Sequence, residues 1–244
     1  MIKLFRHIRQ NLIMENKTSK YLKYAIGEII LVVISILIAL SINNWNENRK
    51  QEQRKIIYTN KIIIDLETDL KNIDSLMITG KSNVKVIENY FKYFDNQEST
   101  NIQHLIDRCS QIINNSIFKY RYTPNNYTFK DMLASGNSTL LSEDQRSALI
   151  KLSNTQDYFL IVFEKTLSSI ITSETKAKTF IDSDLSPSNF FKKINAEQSE
   201  INLIQGLLHQ HNALTSYSDL LFQTKRLKKR ISKETEIAIK TLKN

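Results

Sequence analysis

The stretch AIGEIILVVISILIALSI, Ala25 to Ile42, constrains this chain more than any other: fourteen of its 18 residues are Ala, Ile, Leu or Val, and Glu28 is its one ionisable group. From Tyr24 to Trp45 a helix would extend about 31 Å, close to the roughly 30 Å hydrocarbon core of a bilayer. Tyr21 and Tyr24 at one end and Trp45 at the other stand where amphipathic rings prefer the headgroup region, and Asn43, Asn44 and Asn46 mark the exit into water. These features read as an uncleaved transmembrane anchor over residues 21–46. Two other readings exist. A buried core helix would not usually combine this length with flanking aromatic and basic residues. A signal peptide cut near Ala39 and Ser41 would have a shorter apolar region than this one.

Glu28 lies about one turn inside the hydrocarbon boundary, where a charge is costly. With Ser35, Ala39 and Asn43 it forms a small and polar stripe that either docks another helix or simply reaches the interface. The preceding residues 1–20 are basic. Lys3, Arg6 and Arg9 alternate with Ile2, Phe5, Ile8 and Leu12, as in a helix lying on anionic lipid, although a basic tail fits the same residues. The basic bias before the span favours a cytoplasmic N-terminus and places residues 47–244 outside the cytoplasm, in a periplasm if the cell has two membranes.

Four glycines and two prolines in 244 residues leave few tight turns, so long helices are expected and an all-β fold is disfavoured. Cys109, the single cysteine, has no partner for a disulfide or a cysteine-based zinc site and reads as a small buried hydrophobe. The net charge of +9 is terminal: residues 1–24 carry a balance of +5 and residues 224–244 one of +6, which leaves about −2 between them. No nucleic-acid partner is implied by such a distribution.

Beyond Trp45, Ile56, Ile63, Leu66, Leu70, Ile73, Met77, Val84, Ile87, Phe91 and Phe94 recur mostly at steps of three, four or seven. They predict a long amphipathic helix continuing the span, with a break or kink at Gly80. Lys61 with Asp65 and Glu67 with Lys71 have the spacing of solvated ion pairs. A shorter helix is expected over Ile102–Ile113. The stretch KYRYTPNNYTFKDMLASGNSTLLSEDQ is the least helical, and its Tyr120, Tyr122 and Tyr127 either line a pocket or cover the end of the bundle. Gly136 is placed to stop a short helix, and Ser142 with Gln145 forms a capping-box pattern. A helix then runs to about Asp182 on Leu149, Leu152, Phe159, Phe163, Ile170, Ala177 and Ile181. After SDLSPSN, with Pro187 at a first-turn position, a last helix carries Leu203, Leu207, Leu214, Tyr217, Leu220, Leu227, Ile231, Ala238 and Leu242. The fold class is therefore all-α: a transmembrane helix continuing into an antiparallel, coiled-coil-like helical bundle with one irregular Tyr-rich loop.

The sequence offers no phosphate-binding glycine loop, no GxSxG and no HExxH. His209 and His211 lie about 200° apart on a helix and cannot share a metal unaided. Asp182 and Asp184 precede a helix start and read as capping residues before they read as cation ligands. No catalytic residue, cofactor or metal is expected. The basic segment 225–243 either returns to the membrane surface or complements its own helix end.

The opening MIKLFRHIRQNLIMENKTSKYLKYAIGEIILVVISILIALSINNWNENRK closely resembles the N-terminus of an uncharacterised family of Bacteroidetes, mainly flavobacterial, membrane proteins classed as a domain of unknown function. A second block, TFKDMLASGNSTLLSEDQRSALIKL, is similar in its Thr128, Phe129, Leu133, Ser135, Gly136 and Leu149, and departs where a Lys-Leu pair would follow the glycine. The resemblance implies a single-span membrane protein and offers no activity to carry over. The resulting expectation is a non-enzymatic, membrane-tethered bundle. Its partners would be lipid together with another membrane or extracytoplasmic protein, or a second copy of itself. An extracytoplasmic sensor and an unrecognised enzyme are the rival classes.

Overall fold

The computed structural model describes residues 18–95, 101–102, 105, 121–181 and 199–243, with side-chain placement from residue 22 and none for Ile181. Four α-helices occur among the described residues: α1 Thr18–Asp95, α2 Tyr127–Ala134, α3 Glu143–Ile181 and α4 Glu200–Leu242. One 3-10 turn, Asn137–Leu140, joins α2 to α3. The described residues contain no strand, as the scarcity of turn formers led us to expect. The chain divides into two compact units, Met1–Ile57 and Tyr58–Asn244.

In the first unit the apolar part of α1 buries nothing: every large apolar residue from Ile26 to Ile42 is about half or more exposed. Lys3, Arg6 and Arg9 lie outside the described residues, as do Cys109, Tyr120, Asp182, Asp184 and Pro187. Of the expected helix Ile102–Ile113 only Ile102 and Leu105 are described, the Leu105 amide donating to the Asn101 carbonyl at 3.1 Å.

The second unit is a helical bundle. Ile62, Leu66, Ile73, Ile87 and Tyr90 of α1 pack with Leu149, Leu152, Phe159, Phe163 and Ile170 of α3 and with Leu214, Leu220, Leu227 and Ile231 of α4. Each fully buried side chain of this size contributes about 1.5–3 kcal/mol. The helical periodicity thus finds the inner faces of α3 and α4, and on α1 it misplaces Ile56, which is exposed. Lys228 of α4 pairs with Asp74 of α1 at 2.6 Å, and His211 packs edge-on against Phe91, so α4 runs antiparallel to α1. It runs antiparallel to α3 as well, Gln145 meeting Leu242 and Phe180 stacking on His209. It follows that α1 and α3 run parallel.

Gly80 does not break α1, which passes through it without interruption. The glycine is buried, and flanking core residues Ile73 and Ile87 hold the helix against a propensity loss of only about 1 kcal/mol. Neither Lys61 with Asp65 nor Glu67 with Lys71 closes into an ion pair, and the Asp65 carboxylate accepts from the Thr128 amide instead. The capping box at α3 does form. Ser142 Oγ accepts from the Gln145 amide at 3.2 Å and Gln145 Oε1 accepts from the Ser142 amide at 3.1 Å. Gly136 ends the turn after α2 with φ +75, a left-handed conformation that glycine adopts without strain.

Candidate functional site

Two features of the described residues go beyond generic packing: the unburied apolar segment of α1, and a buried polar cluster where α1, the Tyr-rich loop and α3 meet.

Along the first, Glu28 is half-buried while Ser35, Ala39 and Asn43 are exposed. Spacings of seven, four and four keep all four on one side of α1. Ser35 turns its hydroxyl inward along its own helix and donates to the Leu31 carbonyl at 2.8 Å, which satisfies the group without a partner helix. Tyr24 and Trp45 bracket the apolar segment, each residue more than half exposed. The Arg49 guanidinium lies 5.6 Å from the Trp45 ring centroid, a cation placed over an aromatic face. Tyr21 belongs to α1, and its side chain lies outside the described set.

The second feature centres on Asp69, fully buried on the inner face of α1. Its Oδ2 accepts from Tyr122 Oη at 3.1 Å and from Gln156 Nε2 at 2.8 Å, and its Oδ1 accepts from the Asn125 amide at 3.0 Å. One turn earlier, Asp65 Oδ2 accepts from the Thr128 amide at 3.0 Å. That donor is one of the free N–H groups opening α2, so Asp65 caps α2 from a neighbouring helix. Asn126, at the N-cap position, makes no side-chain cap of its own. It points inward instead, and its amide donates to Gln156 Oε1 at 2.9 Å. The loop is thus tied to α1 by two carboxylates at i, i+4 and to α3 by a pair of amides.

Burial pushes the Asp69 carboxyl above the usual carboxylate range, and its three donors only partly offset that. The Tyr122 hydroxyl is raised too, first by burial and then by the Asp69 charge beside it, so it stays a donor. All these groups are used on one another. The cavity beside them, bordered by Asn126, Ser153 and Gln156, has a volume of about 10 Å³, room for one water. Its chemistry is that of a fastener. Of the Tyr-rich loop, Tyr122 is a core side chain against Phe163 and Tyr127 is exposed. The sequence reads Asp65 as a solvated charge, and no local signal brings Asp69 or Gln156 inward.

The histidines diverge as their spacing requires, His209 stacking on Phe180 and His211 lying against Tyr90 and Phe91. Among the described residues no three His, Cys, Asp or Glu side chains gather as a metal site would need.

A family model described as a family of unknown function, DUF6090, matches residues 28–209, three quarters of the chain. The chain belongs to the DUF6090 family. The matched region takes in most of the apolar segment, both aspartates and the whole loop-to-α3 cluster, and stops at His209 within the first part of α4. In this DUF6090 chain the TFxxxLxSG block is the fastened piece itself: Thr128 supplies the amide to Asp65, Phe129 enters the core and Gly136 makes the turn. No curated protein and no solved structure matches the chain.

Proposed function

We propose that this DUF6090 protein is a single-span, membrane-anchored helical bundle that serves as a non-enzymatic interaction module. The observation that carries the reading is the exposure of the whole apolar stretch of α1: 18 residues with one ionisable group, none of them buried. A core helix of a soluble protein would cover such a surface, and water would not tolerate it uncovered. Lipid is the solvent it fits. The bundle, in contrast, has a packed interior whose buried Asp69 and Gln156 bond each other and whose interior cavity has room for one water. A function carried on its outer surface suits that construction better than a ligand-sized interior site. The basic excess before the span supports a cytoplasmic N-terminus and an extracytoplasmic bundle.

Alkaline carbonate extraction of membranes, combined with intact-mass measurement of the extracted chain, tests this. The expected result is full-length protein in the membrane pellet. Protein released by carbonate, or a mass lacking the residues through about Ser41, would overturn the anchor. Protease added to spheroplasts should digest the bundle if it lies outside the cytoplasm.

A further inference from the structure

The groove between α3 and α4 has a volume of about 540 Å³ and opens widely to the surface. Its α3 side presents Ile150 and Tyr158, and Ile161 continues the same face one turn on, more than half exposed. Lys151 and Arg230 provide its charge, and no carboxylate lines it. Along α4, Arg226 and Lys233 stand four before and three after Arg230 on the same exposed side. Among the described residues no carboxylate pairs with Lys151, Arg226 or Lys233, whereas Lys228, off this side, is held by Asp74. Arg230 itself shares a bond of 3.2 Å with the buried Glu234.

Thr155 sets the polarity of the groove floor. Every other threonine of α3 turns its hydroxyl back to the carbonyl four residues earlier: Thr166, Thr172, Thr175 and Thr179, at 2.8–3.1 Å. Thr155 lines the groove, is 3 % exposed, and makes no such bond. Its hydroxyl adds a polar group to the floor of the groove, within reach of water.

We infer that the α3/α4 groove docks an amphipathic helical segment of another protein, its apolar side on Ile150, Tyr158 and Ile161 and its acidic flank toward Lys151 and the α4 cations. The inference rests on the interaction-module reading and names the partner's chemistry. An open, elongated groove with an apolar wall and a cationic wall is the shape that takes such a helix. A second copy docking symmetrically through the same face would set these cations against one another, which opposes self-association here.

The test places a benzophenone photocrosslinker at Tyr158 of the full-length chain in native membranes, with the same group at the exposed Ile78 of α1 as the control position. The expected adduct maps to a partner segment with apolar residues at helical spacing and an acidic flank. It should fall at least tenfold in the Lys151→Glu, Arg226→Glu, Lys233→Glu variant, whose thermal midpoint should match the parent because these side chains are exposed. No adduct at Tyr158, an equal adduct at Ile78, an adduct with a second copy, with lipid or with a non-acidic segment, or insensitivity to the charge reversals would each overturn the inference. Carbonate extraction of the same membranes reads the anchor separately, so loss of one conclusion is not mistaken for loss of the other.

Discussion

Gln156 Nε2 of α3 donates to Asp69 Oδ2 of α1 across 2.8 Å, and the same amide group accepts through Oε1 from Asn126 at 2.9 Å. One side chain thereby joins two parallel helices and the loop between them. Parallel neighbours cannot be linked by a short turn, and here the fastening is done by side chains at the level of Asp69.

Asp69→Ala should be costly, because it leaves the Tyr122 hydroxyl, the Asn125 amide and Gln156 Nε2 without an acceptor. At about 1–3 kcal/mol for each buried group left unpaired, a loss of at least 3 kcal/mol is expected. Tyr122→Phe, which removes one donor and leaves two, should cost about 1 kcal/mol. Chemical unfolding of the two variants and of the double variant measures both. Additive effects would show that the contact between them carries no coupling, contrary to the geometry.

The pH dependence of Asp69 has a defined sign. Its carboxyl is raised in the fold above its ordinary 3.8, so the folded chain binds that proton more tightly than the unfolded chain. The resulting stability is fully present below the ordinary value and is lost as pH rises through the elevated one. Asp69→Asn has no such proton. The stability difference, parent minus Asp69→Asn, should therefore fall as pH rises from about 3.8, the ordinary value, toward neutrality. Urea midpoints of both proteins from pH 3.5 to 7.5 test it, and a difference that grows with pH would contradict the assignment.

Gln145 serves two helix ends. It completes the capping box of α3, and its Nε2 donates to the Thr241 and Leu242 carbonyls at the end of α4, at 3.2 and 3.4 Å. Gln145→Ala should cost about 1–2 kcal/mol. Gln145→Glu keeps the cap acceptor but turns a negative oxygen toward carbonyls at the negative end of a helix dipole. Its stability should recover toward that of the parent below pH 4, where the carboxyl is neutral. Thermal melts of the three proteins at pH 7 and pH 3.5 separate the two roles.

Gly136 and Gly27 both have open space where a Cβ would stand, yet only Gly136 has positive φ, +75. Substitution by alanine therefore isolates backbone strain from crowding. Gly136→Ala should destabilise by about 1–2 kcal/mol and Gly136→Asn by less, since asparagine tolerates the left-handed region. Gly27→Ala should be neutral or better in the same unfolding assay.

The helices and their inner faces were legible in the sequence because periodicity reports which side of a helix is apolar, and Leu149, Leu152, Phe159, Phe163 and Ile170 are all buried as that rule requires. The capping box and the glycine turn were legible for a similar reason, being local chemistry within four residues. Asp65 and Asp69 were not. Their partners lie 63 and 87 residues away at Thr128 and Gln156, and local spacing assigns such acids to solvent. The passage of α1 through Gly80 was missed for a related reason, since glycine's cost there is local and the packing that outweighs it is not. The parallel order of α1 and α3 depends on the path between them, which no periodicity encodes.

The membrane assignment makes the sharpest distinction between environments. Twelve Ile, Leu and Val residues between Ala25 and Ile42 each favour insertion by about 0.3–0.6 kcal/mol, whereas an arginine near the middle opposes it by about 2.5–3.5 kcal/mol. Replacing Ile34 and Leu37 by Arg therefore introduces a penalty of about 6 kcal/mol against a total of about the same size, and integration should fail. Both positions are exposed, so in a helix surrounded by water the same changes would alter folding stability by no more than about 0.5 kcal/mol. The expected outcome is a shift of the double variant from the carbonate-resistant pellet to the soluble or degraded fraction, with the parent retained. A double variant that stays in the pellet as firmly as the parent would mean that this segment is not what holds the chain to the membrane.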